Sequence, residues 1–269
     1  MLKIELKRAF CGKMYPITCL LGLAICIAQF FVVVLPSVQY LNFQANHGQL
    51  PNSVFNRWIG GYTDYFQIAY FAIFPILAVL PHGDTFYTDK NLGYIRQFYL
   101  RGKRIQYLKA KYIATFLSAG TAVTVPLVVN LLLTMVILPS IIPVRPSLLY
   151  PLSLPKSFLS EVFYSNPYLY VLIYLVLDFL IAGLLGGVAL TVSFVSSNRY
   201  VPLLFPFAMY LFSSTLLQAV NLGGYSIMSF TNPAQPSYGT NMCIVLVELL
   251  IISVISLLFF LIGCKEDAY

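Results

Sequence analysis

Two acids stand inside apolar runs of this sequence: Asp178 in YVLIYLVLDFLIAGLLGG and Glu248 in MCIVLVELLIISVISLLFF. A carboxyl in such a place can relay protons or hold a cation. Keeping it charged near a bilayer centre costs about 2.5–3.5 kcal/mol, so each should face a helix bundle or water. No Lys or Arg lies at a matching depth. Each is therefore expected to be either neutral or hydrogen-bonded to Asn130, Gln218 or tyrosines, and the role is either a polar contact that fixes helix packing or a step in a pathway. Other chemistry is thinly supplied. His47 and His82 are the two histidines, and no H-E-x-x-H or G-x-S-x-G is present. The five cysteines, Cys11, Cys19, Cys26, Cys243 and Cys264, show no zinc-ligand spacing, and none is expected in an outer loop where it could form a disulfide. No metal site and no catalytic residue is expected. His82, in the turn Pro81, His82, Gly83, Asp84, reads as an ordinary interfacial histidine.

A phosphate-binding loop needs G-x-x-x-x-G-K-[ST], because backbone amides cradle the phosphates while Lys and a hydroxyl reach phosphate and magnesium. Gly12 with Lys13 and Gly102 with Lys103 supply the Gly-Lys pair, but Met14 and Arg104 follow them and the earlier glycine is missing. The chain binds no cofactor on this reading; ATP and Mg²⁺, if used, belong to a separate polypeptide.

The elements that position these residues follow from composition. A hydrophobic share of 59% against 9% charged, with a mean hydropathy of +0.81, departs from soluble domains, where about a quarter of residues are charged. Apolar runs of about 20 residues read as membrane helices, since backbone groups in lipid must bond within the segment. The fold expected is an all-α integral membrane protein with one domain over residues 1–269. Leu2, Leu6 and Phe10 form a stripe flanked by Lys3, Lys7 and Arg8, so residues 1–12 should be an amphipathic helix in the interface. Six spans follow, at about 15–36, 66–82, 110–138, 168–195, 201–219 and 242–262. A short helix is expected to open at Pro155. The uncharged outer segment 220–241 can re-enter the membrane only where protein or water covers it. In the fourth span Gly183 and Gly187 make a G-x-x-x-G, a close-packing face within the chain or between subunits.

The net charge of +7 reads as membrane topology and not as nucleic-acid binding. Thirteen of the Lys and Arg residues fall on the side of the N-terminus, and three, Arg57, Arg145 and Lys156, on the other. That asymmetry places both termini in the cytoplasm. Most of the charge lies in residues 84–111, DTFYTDKNLGYIRQFYLRGKRIQYLKAK. Here Thr88 can cap a short helix and Gly102 can end it. Tyr94 and Phe98 are four apart, as are Ile95 and Tyr99, giving an aromatic, apolar stripe. It either packs on lipid and the chain's own helices or docks in another protein's groove.

This stretch, with Asp89, Lys90, Gly93, Tyr94, Ile95, Leu100, Arg104, Tyr107, Leu108 and Lys111 in order, resembles the coupling region of type-2 ABC transporter permease subunits. The layout of an interfacial helix and six spans is similar too. Gly102 departs from it, where many relatives carry a proline nearby. The resemblance implies a coupling helix between spans two and three that contacts an ABC ATPase through Asp89, Tyr94, Ile95, Phe98, Tyr99, Arg101 and Arg104. It further implies a second permease subunit and a bacterial cytoplasmic membrane. The function so expected is ATP-driven export of a lipophilic or amphipathic peptide, lipid or drug. The alternatives are a proton-coupled transporter using Asp178 and Glu248, or a non-transporting scaffold or immunity protein.

Overall fold

The computed structural model describes residues 1–40, 52–61, 63–95, 104–143, 158–235 and 240–265, and their regular structure is helical. Helix α1, Leu2–Cys11, ends at Gly12 in extended backbone. Helix α2, Met14–Ser37, runs straight through Pro36, where the first span was expected to end. Proline lacks an N–H, and its ring crowds the carbonyl four residues back. Over Phe30–Val34 the helix widens to π-type bonding, with Leu35 N–H donating to the Phe30 carbonyl, which moves the crowded carbonyl aside.

Helix α3, Val54–Arg57, is a single turn closed by a capping box between Ser53 and Asn56. Helix α4, Tyr65–Val79, starts where the Asp64 carboxylate accepts from Gln67 N–H at 2.7 Å. Then come α5, Thr85–Asn91, and α6, Arg104–Ile137. Helix α7, Ser160–Ser165, begins five residues after Pro155, on Leu159 in the left-handed region (φ 57°). Helix α8, Pro167–Val195, opens with Asn166 capping Leu169 N–H and proline in its first turn. Helices α9, Tyr200–Ala219, α10, Ile227–Thr231, and α11, Met242–Lys265, complete the chain.

Four of these helices are long and apolar enough to cross a bilayer: α2, α6, α8 and α9. Helix α4 and the Met242–Leu258 part of α11 are apolar but shorter, so among the described residues four full-length spans, not six, emerge from length and composition. The architecture is that of a multi-pass helical membrane protein. Helix α6 starts at Arg104, not near 110, and has 34 residues. At 1.5 Å per residue it is about 51 Å long, well beyond a hydrocarbon core of about 30 Å. Its basic end therefore projects from the bilayer as a stalk continuous with the span.

Helix α8 is the centre of the bundle and packs chiefly against α6 and α11. Two glycines and two phenylalanines interlock there. A side chain at Gly183 would meet the Phe116 ring at 2.6 Å, and one at Gly120 would meet the Phe179 ring at 2.6 Å. Phe116 and Phe179 touch edge to face, with centroids 5.9 Å apart. Gly187 lies against Ser256 of α11 and Tyr112 of α6. These glycines serve packing inside one chain.

The opposite end from the stalk is capped by folded loops. Segment 226–235 is buried apart from Met228. It is held by Gln67 bonding Asn232, by Gln235 accepting from Phe158 N–H (2.9 Å), and by Tyr170 donating to the Pro233 carbonyl (2.6 Å). Protein thus covers residues 226–235 of the uncharged segment that the sequence left free to re-enter, while Val220, Leu222 and Tyr225 stay exposed.

Gly183→Leu should lower the thermal unfolding midpoint of the detergent-solubilised protein, by about 1–3 kcal/mol of overpacking. Combining it with Phe116→Ala should restore part of that loss. Equal midpoints for wild type and Gly183→Leu would show that the helices do not interlock here.

Candidate functional site

Where the stalk of α6 meets α1 and α5, six polar side chains converge. Helix α5 brings Asp89, and the turn before it brings His82. Helix α1 brings Glu5 and Arg8, three apart and so on one face. Helix α6 brings Tyr107 and Lys111, four apart. Helix α5 stops at Leu92 because Gly93 turns left-handed (φ +71°), with nothing within 4 Å of where its side chain would be. Glycine is used there for backbone freedom. Thr88 does not cap α5; it lies inside it, its hydroxyl donating to the Asp84 carbonyl at 3.1 Å.

Asp89 is only 2% exposed. The Arg8 guanidinium grips both its oxygens, at 2.6 and 3.0 Å, in the bidentate geometry that suits this pair. Lys111 Nζ reaches the same carboxylate at 2.7 Å, and the Tyr107 hydroxyl donates to it at 2.8 Å. Arg8 also donates to Glu5 at 2.9 Å, and Lys111 Nζ stands 3.3 Å from the second Glu5 oxygen. Glu5, Lys111 and His82 are essentially fully buried. Two carboxylates face two cations, so the cluster closes with no net charge.

Burial alone would push the Glu5 carboxyl up; the adjacent His82 ring and the charges of Lys111 and Arg8 outweigh it and hold the group at about 2. Asp89 is likewise burdened by burial, yet its bonds from Arg8 and the Lys111 charge keep it below the usual carboxylate range. Burial pulls His82 down to about 4, against some support from Glu5. His82 is thus neutral at neutral pH. Its Nε2 sits 3.6 Å from Glu5, too far for a hydrogen bond.

An apolar jacket seals the cluster: Phe86, Ile95, Tyr107, Leu108, Leu190 and Phe194, with the Phe86 and Phe194 rings 4.3 Å apart. Tyr87 donates to the Ser197 carbonyl at 2.8 Å and fastens α5 to the end of α8.

The residues expected to touch a partner divide. Asp89 and Ile95 point into the protein, Tyr94 is half-buried with Arg8 5.1 Å over its ring, and Arg104 opens α6 half-buried. Phe98, Tyr99, Arg101 and Gly102 lie outside the described residues. Among the described residues of this region the most exposed large apolar side chain is Leu92, at 75%. Of the intramembrane polar residues, Asn130 accepts from Ile59 N–H (2.9 Å) and donates to Gln29 (2.9 Å) and the Cys26 carbonyl (3.0 Å). It pins the 52–61 loop and is no partner of Asp178. Asp178 is buried within electrostatic reach of Tyr70, Tyr174 and Tyr210. Among the described residues neither of its oxygens finds a hydrogen bond. Those tyrosines are engaged with the Val123 carbonyl, Gln235 and Thr231, and Gln218 is exposed. Glu248 lies apart, half-buried, beside a cavity of about 230 Å³ with Tyr225 and Val247.

Sequence reasoning missed Glu5, Arg8, His82, Tyr107 and Lys111 as a site. His82 is not an ordinary interfacial residue, and Arg8 and Lys111 are not simply solvated inner charges. The available signal was Glu5: it is the one acid in α1, and it sits off the Leu2, Leu6, Phe10 stripe. The buried face of α1 is Glu5 and Ala9.

Asp89→Ala strands the buried Lys111 cation, a loss of about 3–5 kcal/mol. Adding Lys111→Met restores charge balance and should recover part of it in thermal unfolding of the solubilised protein. Acid should also loosen the cluster in two phases. His82 takes up a proton on opening, so stability is full above pH 6.5 and falls towards pH 4, by about 3 kcal/mol at most. Below about pH 4.5 the lowered carboxyl of Glu5 adds a further loss as pH falls towards 2. His82→Gln should abolish the first phase in a pH series of unfolding midpoints and leave the second.

No family model, curated protein or solved structure matches the chain, so what the site does rests on its own geometry.

Proposed function

We propose that the chain is the membrane subunit of an ATP-driven exporter. On this reading α2, α4, α6, α8, α9 and α11 all cross the cytoplasmic membrane, both termini are inside, and the α5–α6 region is the coupling segment. A separate ABC ATPase holds ATP and Mg²⁺, and a second permease subunit completes the assembly. The supporting observation is the Asp89 cluster. It welds α1 and α5 to the stalk of α6, so a force on α5 is passed to a span instead of being absorbed by a loose loop. Leu92, apolar and three-quarters exposed at the end of α5, offers that force a point of contact. Driving the spans between two arrangements then requires the ATPase to bind those arrangements with different affinity. The resemblance and the aromatic-rich helices favour a lipophilic or amphipathic cargo.

A second reading, a proton-coupled transporter, draws on Asp178, a buried carboxyl without a hydrogen-bond partner among the described residues. Such groups inside membrane proteins commonly mark proton relays.

Affinity purification of the full chain from its native membrane should bring down an ATPase. Leu92→Asp should release that ATPase while leaving the unfolding midpoint unchanged. In reconstituted vesicles Asp178→Asn should spare ATP-driven transport. A chain that purifies alone and transports only under a pH gradient, with Asp178→Asn abolishing it, would replace the first reading with the second.

A further inference from the structure

Beside the charged cluster, a cavity of about 710 Å³ opens between α1, the start of α2 and the turn at residues 81–85. Its walls include Ile4, Met14 and Pro81, and its cationic lining includes Lys3, Lys7 and Lys13. Lys3 and Lys7 share one face of α1, four residues apart. The other charged groups on the lining are already committed. Arg8 is bound to Asp89 and Glu5. Asp84, the one acid there, has Arg199 at 3.9 Å. The three lysines are exposed, and no acid pairs with them among the described residues. The cavity thus presents unpaired positive charge above an apolar floor.

That floor continues. Met14, Ile17, Leu20 and Leu21 are exposed along the first two turns of α2, the helix that enters the bilayer from this point. A ligand with an anionic head and an apolar tail fits both halves; a free anion uses only the lysines. We propose that this cavity seats an acidic phospholipid from the leaflet that holds the chain's N-terminus. Its phosphate lies among Lys3, Lys7 and Lys13, and its acyl chain runs along Ile4, Met14 and the exposed side of α2. The lipid bridges α1 to the 81–85 turn and so clamps two of the three elements that meet at Asp89. Acidic lipid then stabilises the junction of α1, α5 and α6. The inference needs a bilayer but no ATPase, so it stands apart from the exporter reading.

The test uses the full chain in mild detergent, with phosphatidylglycerol and phosphatidylcholine of identical acyl chains. Native mass spectrometry counts retained lipid, and thermal unfolding reads stabilisation. Phosphatidylglycerol should be retained and raise the midpoint, less so at high salt, because exposed charges are screened; phosphatidylcholine should do neither. A lysine near an anionic lipid surface contributes about fivefold, so Lys3→Gln, Lys7→Gln and Lys13→Gln together should weaken retention on the order of a hundredfold. These lysines are exposed, so the triple variant should fold; its unfolding midpoint without lipid checks this. Lys109→Gln, exposed but off the cavity, should change nothing. Equal retention of both lipids, wild-type retention by the triple variant, or an equal loss with Lys109→Gln overturns the proposal. So does an equal midpoint rise with inorganic phosphate alone, which would assign the lysines to a free anion.

Discussion

Burying three charged side chains, Glu5, Asp89 and Lys111, against a half-buried Arg8 where α1, α5 and α6 meet is the constraint on which this end of the protein depends. An ion taken out of water costs several kcal/mol, and only well-placed partners of opposite sign repay it. Asp89 finds Arg8, Lys111 and Tyr107, and Glu5 shares the two cations. Because each carboxylate uses both cations, none of the three helices can slide without stranding a charge. Apolar packing tolerates small shifts of register; this network does not. It makes the short α5 a fixed extension of the long α6, although α5 has only seven residues and could not hold its shape alone.

The rest of the bundle is built on the opposite principle. Between α6 and α8 the contact is made by absence of side chains: Gly120 and Gly183 admit Phe179 and Phe116. In lipid there is little hydrophobic gain from bringing helices together, so close fit and interhelical hydrogen bonds carry the association. Asn130 supplies such bonds, joining α6 to α2 and to the 52–61 loop. At the same end Gln235 and Asn232 seat the 226–235 segment, so the irregular backbone that follows α10 is screened by protein, as a non-helical stretch next to lipid must be. Asp178 stands out against this pattern. It is the buried polar group on α8 for which no hydrogen bond is found among the described residues, and the helix interlock holds it in the interior.

Much of the framework was legible in the sequence. The apolar runs gave α2, α8 and α9 nearly to the residue. The first span ends within one residue of Pro36, and a π turn just before it accommodates the proline. The start of α6 misled because Arg104, Lys109 and Lys111 look like loop charges, whereas a helix can carry them out of the bilayer as a stalk. Gly102, expected to end the coupling helix, lies outside the described residues; within them α5 already ends before Gly93, which turns left-handed.

Composition and apolar run length by themselves determined that this is a helical membrane protein, since only internally bonded helices satisfy backbone groups across runs so rich in apolar residues. They could not determine which charges are buried. Arg8 and Asp89 are 81 residues apart, and nothing local distinguishes Lys111 from Lys109 beside it. Which of two neighbouring lysines turns inward is a matter of rotation about the axis of α6, and that rotation is set by packing against α1 and α8. Only the tertiary arrangement could bring Glu5, Arg8, His82, Asp89 and Lys111 into one place, because their energies exist only as pairs.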